Sequence, residues 1–570
     1  MKYVVTKYGI VGDGKTSNSE ALSKLINEAQ DGSTIFFPAG VYYTDKCIHV
    51  NGKKKLTIEG EDATIMTHFG PCGDPKENNN MFAFNGCDDL VIRDFIFTTD
   101  NPIGWSGVVT AVNQEKMYYE VRIYSQFEVT GLEHPVALNS CDKDGTPDYM
   151  FNGGKWREAT TVTVDGKEVT RYAGYDYEVI GDHLLRFFVA DSHVNDLKRL
   201  KVGEQVCYRF IVYGNSHLNF SNCNRVLLKN IENYRCSSMG TVISPRCSDF
   251  TFDHYNIEVK PGSQELYAAN ADGIHILGLT GTLRFKHCKF NGLGDDVLNI
   301  HGTAGEITAI NEDGSMKLEH RHRNGFSPLQ KNWAIPGDVV QVYDAKTFAP
   351  KGTFTVGTYE DGVTTITAST GTIEVGDALA NTVYYAATHI SDCIIKNTRA
   401  RALLLQTHNI TVEDCYFFGL SLPGLLLSPD IRFWYEVGPT SHTLIQNNVF
   451  EKCAIIKARQ NRGAISVLCA HDTDPNELNK AGVHEDIKIL NNVFRGTGNS
   501  AIYISATDGV EVRGNLFENC CNNRYNPRAY DVRHDIVTFQ CDHITIADNR
   551  TTQKEKNLFY AIRSKNITKQ

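Results

Sequence analysis

Apolar and polar residues alternate with a period of two in short segments along the chain, and most segments continue into Asn or Asp and an aromatic residue. The segments are VLLKNIENY (226–234), FTFDHYNIEV (250–259), LRFKHCKFNG (283–292), ITVEDCYFFG (410–419), TLIQNNVFEKC (443–453), IKILNNVFRGT (487–497) and VEVRGNLFENC (510–520). Such alternation predicts half-buried β-strands. Ile487 and Val510 hold equivalent places 23 residues apart. This interval predicts one turn of a parallel β-helix, with Asn ladders at the corners that satisfy turn backbone groups.

The N-terminus has a different pattern. After a Gly-Asp-Gly turn, apolar residues follow a helical spacing; they are Ala21, Leu22, Leu25, Ile26 and Ala29. A β run over 34–38 and the stretch AGVYY come next. This order resembles the opening of the pectate-lyase-like right-handed β-helices. We therefore expect a helix that covers the open end of the first coil, where core and strand edge would otherwise be exposed.

Two stretches lack the repeat, at about 117–212 and 303–386, and both carry a similar phrase: VGEQV (202–206), PGDVV (336–340) and VGDAL (375–379). Structureless loops of this length are uncommon in compact proteins, so each stretch is predicted to be a small inserted β-barrel. The sequence thus predicts an all-β chain, a right-handed parallel β-helix with an N-terminal capping helix and two inserted barrels. Its expected divisions are 1–116 (cap and first coils), 117–212 (barrel 1), 213–302 (central coils), 303–386 (barrel 2) and 387–570 (C-terminal coils).

The net charge of −10 over 570 residues, without a basic stripe, argues against nucleic-acid binding. No segment is long and apolar enough for a membrane span. The start MKYVVTKYGIVGDG has no apolar signal core, which predicts a cytoplasmic chain, or a secreted or periplasmic one if a leader was removed. A homo-oligomer is compatible with these features.

The 16 cysteines are spread along the chain without a C-x-x-C motif. Several recur at one place in the repeat: Cys288, Cys393, Cys415, Cys453 and Cys520. We interpret them as reduced thiols stacked in the core, with disulfides or metal binding as the alternatives.

Candidate chemistry lies in two neighbouring segments, AANADGIHILG (268–278) and NGLGDDVLNIHG (291–302). Asp272 and Asp295 are 23 residues apart, the same interval as the repeat, so Asp272 should stack on the Asp295/Asp296 pair of the next coil. Adjacent strands lie about 4.8 Å apart, which predicts carboxyl separations of roughly 5–9 Å. Like charges at this range cannot all ionise freely, and one carboxyl then keeps a proton near neutral pH. A protonated carboxyl beside an ionised one is the acid/base pair that cleaves glycosidic bonds.

These motifs resemble two families. Asn-x-Asp-Gly followed by Asp-Asp one coil later resembles the polygalacturonases, but their Gly-His-Gly and Arg-x-Lys are absent. The closer resemblance is to glycoside hydrolase family 110, exo-acting α-1,3-galactosidases, some of which act on blood group B antigens. It extends in order through most of 200–520, in the segments DGIH (272–275), GDDVLNIHG (294–302), HRHRNGF (320–326), PGD (336–338), NTRARALL (397–404), WYEVG (434–438) and NNVF (447–450).

The resemblance implies an inverting, metal-independent hydrolase without a cofactor, whose partner is a carbohydrate with terminal α-galactose. It makes Asp272, Asp295 and Asp296 the catalytic candidates. We expect Asp295 or Asp296 to be the base and Asp272 the proton donor, with Glu319 and Glu436 as other candidates for the donor. The candidate substrate-binding residues are His275, Asn299, His301, His320, His322, Arg399, Arg401, Trp434, Tyr435 and Glu436.

Two of these expectations have a simple physical basis. Arg399 and Arg401, if on one strand, would point to the same side and could bind sugar hydroxyls, although salt bridging is equally compatible with their spacing. Trp434 and Tyr435 could stack on a sugar face or pack internally. Three other functions remain open: a polygalacturonase-like hydrolase, a Ca²⁺-dependent polysaccharide lyase or epimerase, and a non-catalytic carbohydrate-binding β-helix.

Overall fold

The computed structural model describes residues 1–68, 80–148, 151–164, 166–322, 325–329, 331–431, 434–456, 461–469, 481–522, 534–554 and 557–570, without the side chains of residues 164, 321, 322, 325–328, 368 and 369. A parallel β-helix runs through it from the N-terminus to the C-terminus. Strand Thr507–Arg513 pairs in parallel with His484–Leu490, and Ile487 lies opposite Val510. The 23-residue repeat is therefore confirmed.

Each coil of the solenoid has three faces. One face is a 12-stranded parallel sheet, here called the short-strand sheet. Its strands are Ile48–Asn51, Phe82–Asn85, Leu218–Ser221, Thr241–Ile243, Ile274–Ile276, Leu298–Ile300, Leu403–Leu405, Leu425–Leu427, Gly463–Val467, Ser500–Ser505, Ile536–Phe539 and Phe559–Ile562.

The other two faces form a continuous 22-stranded sheet, because the strands of the early coils bend through both faces. Its strands are Lys2–Val4, Thr34–Phe37, Gly40–Thr44, Thr57–Thr67, Asp88–Thr99, Asn224–Asn233, Cys247–Ile257, Leu279–Lys286, Lys289–Leu293, Tyr385–Ser391, Ile394–Thr398, Ile410–Glu413, Tyr416–Phe418, Ser441–Gln446, Val449–Glu451, His484–Leu490, Val493–Arg495, Thr507–Arg513, Leu516–Glu518, Asp542–Ala547, Arg550–Thr551 and Ile567–Lys569.

The core is built from stacks of like residues on successive coils. The aromatic residues predicted from the repeat form one stack, in which the rings of Phe417, Phe450, Phe494 and Phe517 lie 4.6, 5.0 and 5.2 Å apart between neighbouring centroids. The cysteines of the described residues are free thiols and most are buried. The thiol sulfur of Cys415 accepts the backbone N–H of Cys393 at 3.4 Å. The core is thus continuous along the solenoid axis.

A buried Asn ladder extends the same corner toward the C-terminus. Asn448 Oδ1 accepts the N–H of Cys415 at 3.0 Å, and Asn492 Oδ1 accepts the N–H of Asn448 at 2.9 Å. Asn515 and Asn549 continue the series at 2.9 and 3.0 Å. The ladder supplies acceptors for turn amides that no strand pairing reaches, as the Asn-rich corners predict.

The N-terminal helix is Ser19–Glu28, and its buried side chains Leu22, Leu25 and Ile26 join the core of the first coils. The predicted capping helix is therefore confirmed. The other helical segments are Val194–Arg199 and the 3₁₀ turns Val5–Tyr8, Asp191–His193 and Thr382–Tyr384. Within the described ranges, no helix has the length and apolar character needed to cross a membrane.

The first insertion is a six-stranded antiparallel sheet around its own aromatic core. Its strands are Gly104–Asn113, Tyr118–Ile123, Ala137–Cys141, Tyr177–Gly181, Leu184–Phe188 and Gln205–Arg209, with the small pairs Trp156–Arg157/Gly174–Tyr175 and Thr160–Val164/Lys167–Arg171. The insertion begins at Gly104, before the predicted residue 117. The strand GWSGVVTAVN alternates as the coil strands do, so its sequence does not mark the boundary.

The second insertion contains a closed six-stranded barrel, since strand Gly302–Ile310 pairs with both Met316–His322 and Ala378–Asn381. The remaining strands of this sheet are Gly325–Pro328, Val339–Tyr343, Pro350–Glu360, Val363–Gly371 and, from a later loop, Glu436–Val437. The late strand Glu436–Val437 pairs with Gly302 and Thr303 at the barrel entrance. A C-terminal loop is thereby fixed beside the central coils.

Candidate active site

The register of the short-strand sheet decides which acidic residues stack. The strands Ile274–Ile276, Leu298–Ile300 and Leu403–Leu405 lie in parallel on three successive coils. Asp272, Asp296 and Arg401 each lie two residues before their strand, so these three residues stack. The coil interval here is 24 residues, because Ile274 pairs with Leu298. The prediction that Asp272 stacks on the Asp295/Asp296 pair is confirmed, and the register selects Asp296 as the stacked member of that pair.

Close packing beneath the Asp295-Asp296 turn requires a glycine at position 294. A Cβ there would lie 2.4 Å from the carbonyl oxygen of Asn270 and 2.6 Å from Arg209 Nη1. Arg209 Nη1 donates to the carbonyl oxygens of Asn270 at 2.5 Å and Gly294 at 3.3 Å. The guanidinium therefore ties together the loops that carry the acidic residues on the two coils.

Three carboxyl groups converge at this turn. One carboxylate oxygen from each of Asp272, Asp295 and Asp296 lies within 4.8 Å of the other two. This cluster is tighter than the roughly 5–9 Å that strand spacing predicts. The cause is local, because Asp272 Oδ1 accepts the backbone N–H of Asp296 at 3.2 Å and is drawn toward the next coil.

Asp296 is paired with Arg401 and is 1% exposed. Its Oδ1 accepts the backbone N–H of Arg401 at 3.0 Å, and its Oδ2 accepts Arg401 Nη2 at 2.5 Å. Burial raises the pKa of Asp296 well above its ordinary value, and the nearby guanidinium opposes that shift. Arg401 is thus the counter-charge that makes a buried carboxylate tolerable.

Asp272 is bonded to His275 on the other side, through Oδ2 and Nδ1 at 2.6 Å. His275 Nε2 faces His301 Nε2 at 3.2 Å, and His301 Nδ1 donates to the Gly302 carbonyl at 2.9 Å. Burial raises the pKa of Asp272 and lowers the pKa of His301. Burial also acts to lower the pKa of His275, but the bond to Asp272 and the charges of Asp272, Glu436 and Asp296 together outweigh it, and the net shift is upward.

Glu436 enters the site from the strand that pairs with the second barrel. Its Oε2 accepts Asn299 Nδ2 at 3.4 Å and Gln406 Nε2 at 3.3 Å, and its Oε1 lies 3.7 Å from His301 Nε2. Burial acts to raise the pKa of Glu436, yet His301 and His275 lower it overall. Glu436 is therefore an anion beside the histidine pair.

Asp295 differs from its two neighbours in its contacts. It is only partly buried, and no hydrogen bond or ion pair of its carboxylate occurs among the described residues. Tyr213, 63% exposed, stands nearby. The pKa of Tyr213 is raised to about 12 by desolvation of its hydroxyl and then by Asp295 and Asp272. Asp295 is the acid whose oxygens are available to a ligand.

Other predicted site residues have structural contacts. Arg399 and Arg401 lie in the turn after strand Ile394–Thr398, not on a strand, and Arg399 Nη1 donates to the Gly294 carbonyl at 3.2 Å. Both arginines therefore hold the acidic turn, and their role in sugar binding stays a prediction. His320 Nε2 donates to the Trp434 carbonyl at 2.7 Å and so connects the second barrel to the Trp434 segment.

The expected aromatic platform is reduced to one ring. Trp434 is 46% exposed, whereas Tyr435 is 1% exposed and packs in the core beside the second barrel. The Tyr435 hydroxyl donates to Glu306 Oε2 at 2.7 Å, so its ring cannot offer a face to a sugar. Glu319 pairs with Lys317 at 2.8 Å on the second barrel. The side chain of His322 lies outside the described part of the structure.

Sequence reasoning missed Arg209, Tyr213 and Gln406. Arg209 ends the last strand of the first insertion, and Tyr213 follows it in the return to the solenoid. Arg209 is 4% exposed, and burial lowers its pKa, followed by the charge of Arg399. No local motif marks these residues; a lone Arg directly before the resumption of the coil repeat was the available signal.

Among the residues that the structure describes, three groups of side chains could hold a metal ion by spacing alone, each with ligand atoms within 4.8 Å. They are Asp272/Asp295/Asp296, His275/His301/Glu436 and Asp253/His254/His287. In the third group, Lys229 and Lys286 lie 3.6 and 3.7 Å from Asp253 Oδ2, and these ammonium groups oppose a cation.

The fold and the site together define a class. A parallel β-helix that presents acidic residues from neighbouring coils is a pectate-lyase-like architecture, and a family profile described as rhamnogalacturonase A/epimerase, pectate-lyase-like, matches residues 3–125.

Over most of its length the chain is similar to curated proteins named alpha-1,3-galactosidase. Alpha-1,3-galactosidase A of Bacteroides thetaiotaomicron is 27% identical over 525 residues, covering 88% of this chain and 84% of the relative. Alpha-1,3-galactosidase B of that organism is 20% identical over 587 residues, covering 96% and 90%. Alpha-1,3-galactosidase B of Akkermansia muciniphila is 24% identical over 585 residues, covering 96% and 69%. The resemblance that the motifs indicate is confirmed.

Proposed function

We propose that the chain is an inverting exo-glycosidase that hydrolyses terminal α-1,3-linked galactose from oligosaccharides or glycans. The observation that carries the proposal is the cluster of three carboxyl groups within 4.8 Å, one of them without a partner among the described residues. The similarity to alpha-1,3-galactosidases over 88–96% of the chain supplies the substrate class.

The contacts assign different roles to the three acids. Asp272 and Asp296 each accept N–H groups on both oxygens and each have a cationic neighbour, His275 or Arg401. Such contacts favour the anionic form of a carboxyl against the effect of burial. Asp295 is more exposed and its oxygens can reach a ligand. We therefore assign Asp295 as the proton donor, in place of the Asp272 expected from the sequence.

Hydrolysis then proceeds in one displacement. The bond between galactose C1 and the glycosidic oxygen breaks as Asp295 gives its proton to that oxygen. A water held by Asp272 and Asp296 bonds to C1 from the opposite side, and the carboxylate pair takes its proton. Inverting pairs are typically about 6.5–9.5 Å apart. The nearest oxygens of this cluster are closer, within 4.8 Å, so inversion requires the Asp295 side chain to reach outward to the leaving oxygen while Asp272 and Asp296 hold the water.

We propose that the inserted domains flank the acidic cluster and form the walls of a pocket for one terminal sugar. Arg209 of the first insertion lies beneath the acidic turn, and Glu436 is fixed by pairing with Thr303 of the second barrel. Exposed Tyr213 and Trp434 are available as apolar surfaces against which a galactose ring can stack. Walls from two insertions favour release of single sugars over cleavage within a polymer.

The R209M variant tests the contribution of the first insertion. We expect kcat to fall by about a hundredfold, because a shift of about 1 Å in a catalytic group has an effect of that order. The matched control is R186M on the same insertion, where Arg186 pairs with Glu120 near the surface at 2.8 Å. Steady-state kinetics of both variants, with urea unfolding to verify folding, give the answer. Equal kcat for R209M and wild type would remove Arg209 from the site.

A substrate panel tests the proposal as a whole. The purified chain is incubated with terminal α-1,3-, α-1,4- and α-1,6-linked galactosides, with linear and fucosylated acceptors, and with a uronate polymer. Free galactose from the α-1,3-linked compounds alone is expected. An unsaturated, ultraviolet-absorbing product from the polymer would indicate a lyase, and sugar binding without turnover would indicate a non-catalytic binding protein. Either result would refute the proposal.

A further inference from the structure

A chain of hydrogen bonds runs from the acidic cluster into the fold. It connects Asp272 Oδ2 with His275 Nδ1 at 2.6 Å, His275 Nε2 with His301 Nε2 at 3.2 Å, and His301 Nδ1 with the Gly302 carbonyl at 2.9 Å. We call Asp272, His275 and His301 the histidine chain. Its two histidines lie behind the acids assigned above, and those roles do not explain the second histidine.

The far end of the histidine chain fixes its protons. A carbonyl oxygen only accepts, so His301 Nδ1 must carry a hydrogen to bond Gly302. Burial lowers the pKa of His301, which keeps this ring neutral and leaves a lone pair on its Nε2. His275 Nε2 must then carry a hydrogen, because two lone pairs would otherwise face each other at 3.2 Å.

The protonation of the Asp272 end of the histidine chain follows from these hydrogen positions on His301 and His275. With a hydrogen on His275 Nε2, the 2.6 Å contact to Asp272 needs one more proton between Nδ1 and Oδ2. That proton makes the pair an imidazolium and a carboxylate, the form that the water-binding role of Asp272 requires. In this form the Asp272–His275 pair has no net charge. The alternative, a neutral His275 with its hydrogen on Nδ1 beside ionised Asp272, is the form that His301 disfavours.

The charged groups around the Asp272–His275 pair explain why its net charge is important. Among the described residues, the charged and titratable groups that face the histidine chain are Tyr213, Asp295, Asp296, Arg401, Glu436 and His320. Three of them are acids and lie on both sides of the chain. A further negative charge on the Asp272–His275 pair would add to the repulsion among these acids. It would disturb Asp272 and Asp296, the two carboxylates that hold the water.

We propose that His301 is a positioning residue that, through His275, keeps an additional proton on the Asp272–His275 pair and so holds the pair neutral until Asp272 and Asp296 take the proton of the attacking water. This inference rests on the proposed hydrolase activity for its kinetic consequence, but not for its proton count. His301 touches neither the assigned acid nor the assigned water-binding pair, so its effect is indirect.

The kinetic test compares His301→Leu with His301→Gln. Leucine removes the acceptor for His275 Nε2–H, so the pair loses its extra proton more easily as pH rises. We expect the alkaline limb of the kcat profile to move down by about one pH unit, with little change in KM. Glutamine offers a side-chain oxygen as acceptor and is expected to keep the limb near its wild-type position. His484→Gln, a buried histidine bonded to the Leu468 carbonyl away from the site, controls for loss of a core imidazole.

A second measurement is independent of activity. Nitrogen-15 spectra of histidine-labelled protein, assigned with the two His301 variants, report which ring nitrogens carry hydrogen. The proposal requires hydrogen on Nδ1 alone in His301 and on Nε2 in His275. The opposite tautomer of His301, or an unchanged alkaline limb in the folded His301→Leu protein, would overturn it. If no galactoside is hydrolysed at all, the proposed function fails while these spectra still decide the proton count.

The same atoms suit a divalent cation, since His275 Nε2, His301 Nε2 and Glu436 Oε1 lie within 4.8 Å of one another. A metal would require lone pairs on both Nε2 atoms and exclude the proton between the rings. Elemental analysis of the purified chain separates the two cases. Stoichiometric zinc or another divalent metal that His301→Leu abolishes would overturn the proton account, whereas chelator-insensitive activity without bound metal is the expected result.

Discussion

The D295N variant should lose about 10³-fold in kcat on a natural α-1,3-galactoside, with KM nearly unchanged. General acid catalysis contributes about 10²–10⁴-fold, and Asn cannot give a proton to the leaving oxygen. The substitution adds no volume, and no hydrogen bond of Asp295 to another described residue is lost. Binding of the sugar should therefore survive while the chemical step does not.

The choice of leaving group makes this prediction specific to a proton donor. A 2,4-dinitrophenyl α-galactoside needs no protonation to depart, so D295N should recover most of its rate on that substrate. D272N and D296N should not recover, because the attacking water still lacks its base. The control for an unrelated buried acid is D253N, at another corner of the solenoid. Equal recovery of D272N and D295N would reject the division of roles.

Removing Arg401 should destabilise the fold more than any other single change at the site. In R401L the carboxylate of Asp296 stays buried without its ion-pair partner, and breaking such a pair costs about 3–5 kcal/mol. Loss of Arg401 raises the folded-state pKa of Asp296 further above its unfolded value. The protonated carboxyl is tolerated at low pH, and stability is lost as pH rises through the folded pKa. The deficit of R401L relative to wild type should grow from acidic to alkaline pH.

The double variant D296N/R401L provides the control. It removes both charges, so urea unfolding should show much of the lost stability restored while activity remains absent. An R401L deficit that does not change with pH, or that persists fully in the double variant, would contradict the account of Arg401 as the counter-charge of Asp296.

Most of the solenoid could be predicted from the sequence, because each coil repeats the same short pattern of alternating apolar and polar residues. Alternation places residues such as Phe450 and Phe494 inward. Asn448 and Asn492 hold the same corner on successive coils, where each accepts a backbone N–H of the turn. The helix over Ser19–Glu28 follows from its own apolar spacing. These elements depend on short-range patterns, and therefore they are readable without a structure.

The details of the site depend on longer-range geometry. The coil at Asp272 is 24 residues long and not 23, and this length selects Asp296 of the Asp295/Asp296 pair as the stacking partner of Asp272. Arg209 reaches the acidic turn only because a strand of an inserted domain ends there. Tyr435, with a left-handed φ of 55°, turns its ring into the core and away from solvent. None of these placements leaves a local pattern in the sequence.

The most direct test of the account is proton NMR of the first-formed sugar during hydrolysis of a terminal α-1,3-galactoside. Attack of water by a single displacement predicts β-galactose as the initial signal, followed by slow mutarotation toward the α anomer, with no oligosaccharide released from within a longer glycan. Initial α-galactose would show retention through a covalent intermediate and contradict the assignment of Asp272 and Asp296 as the pair that activates water.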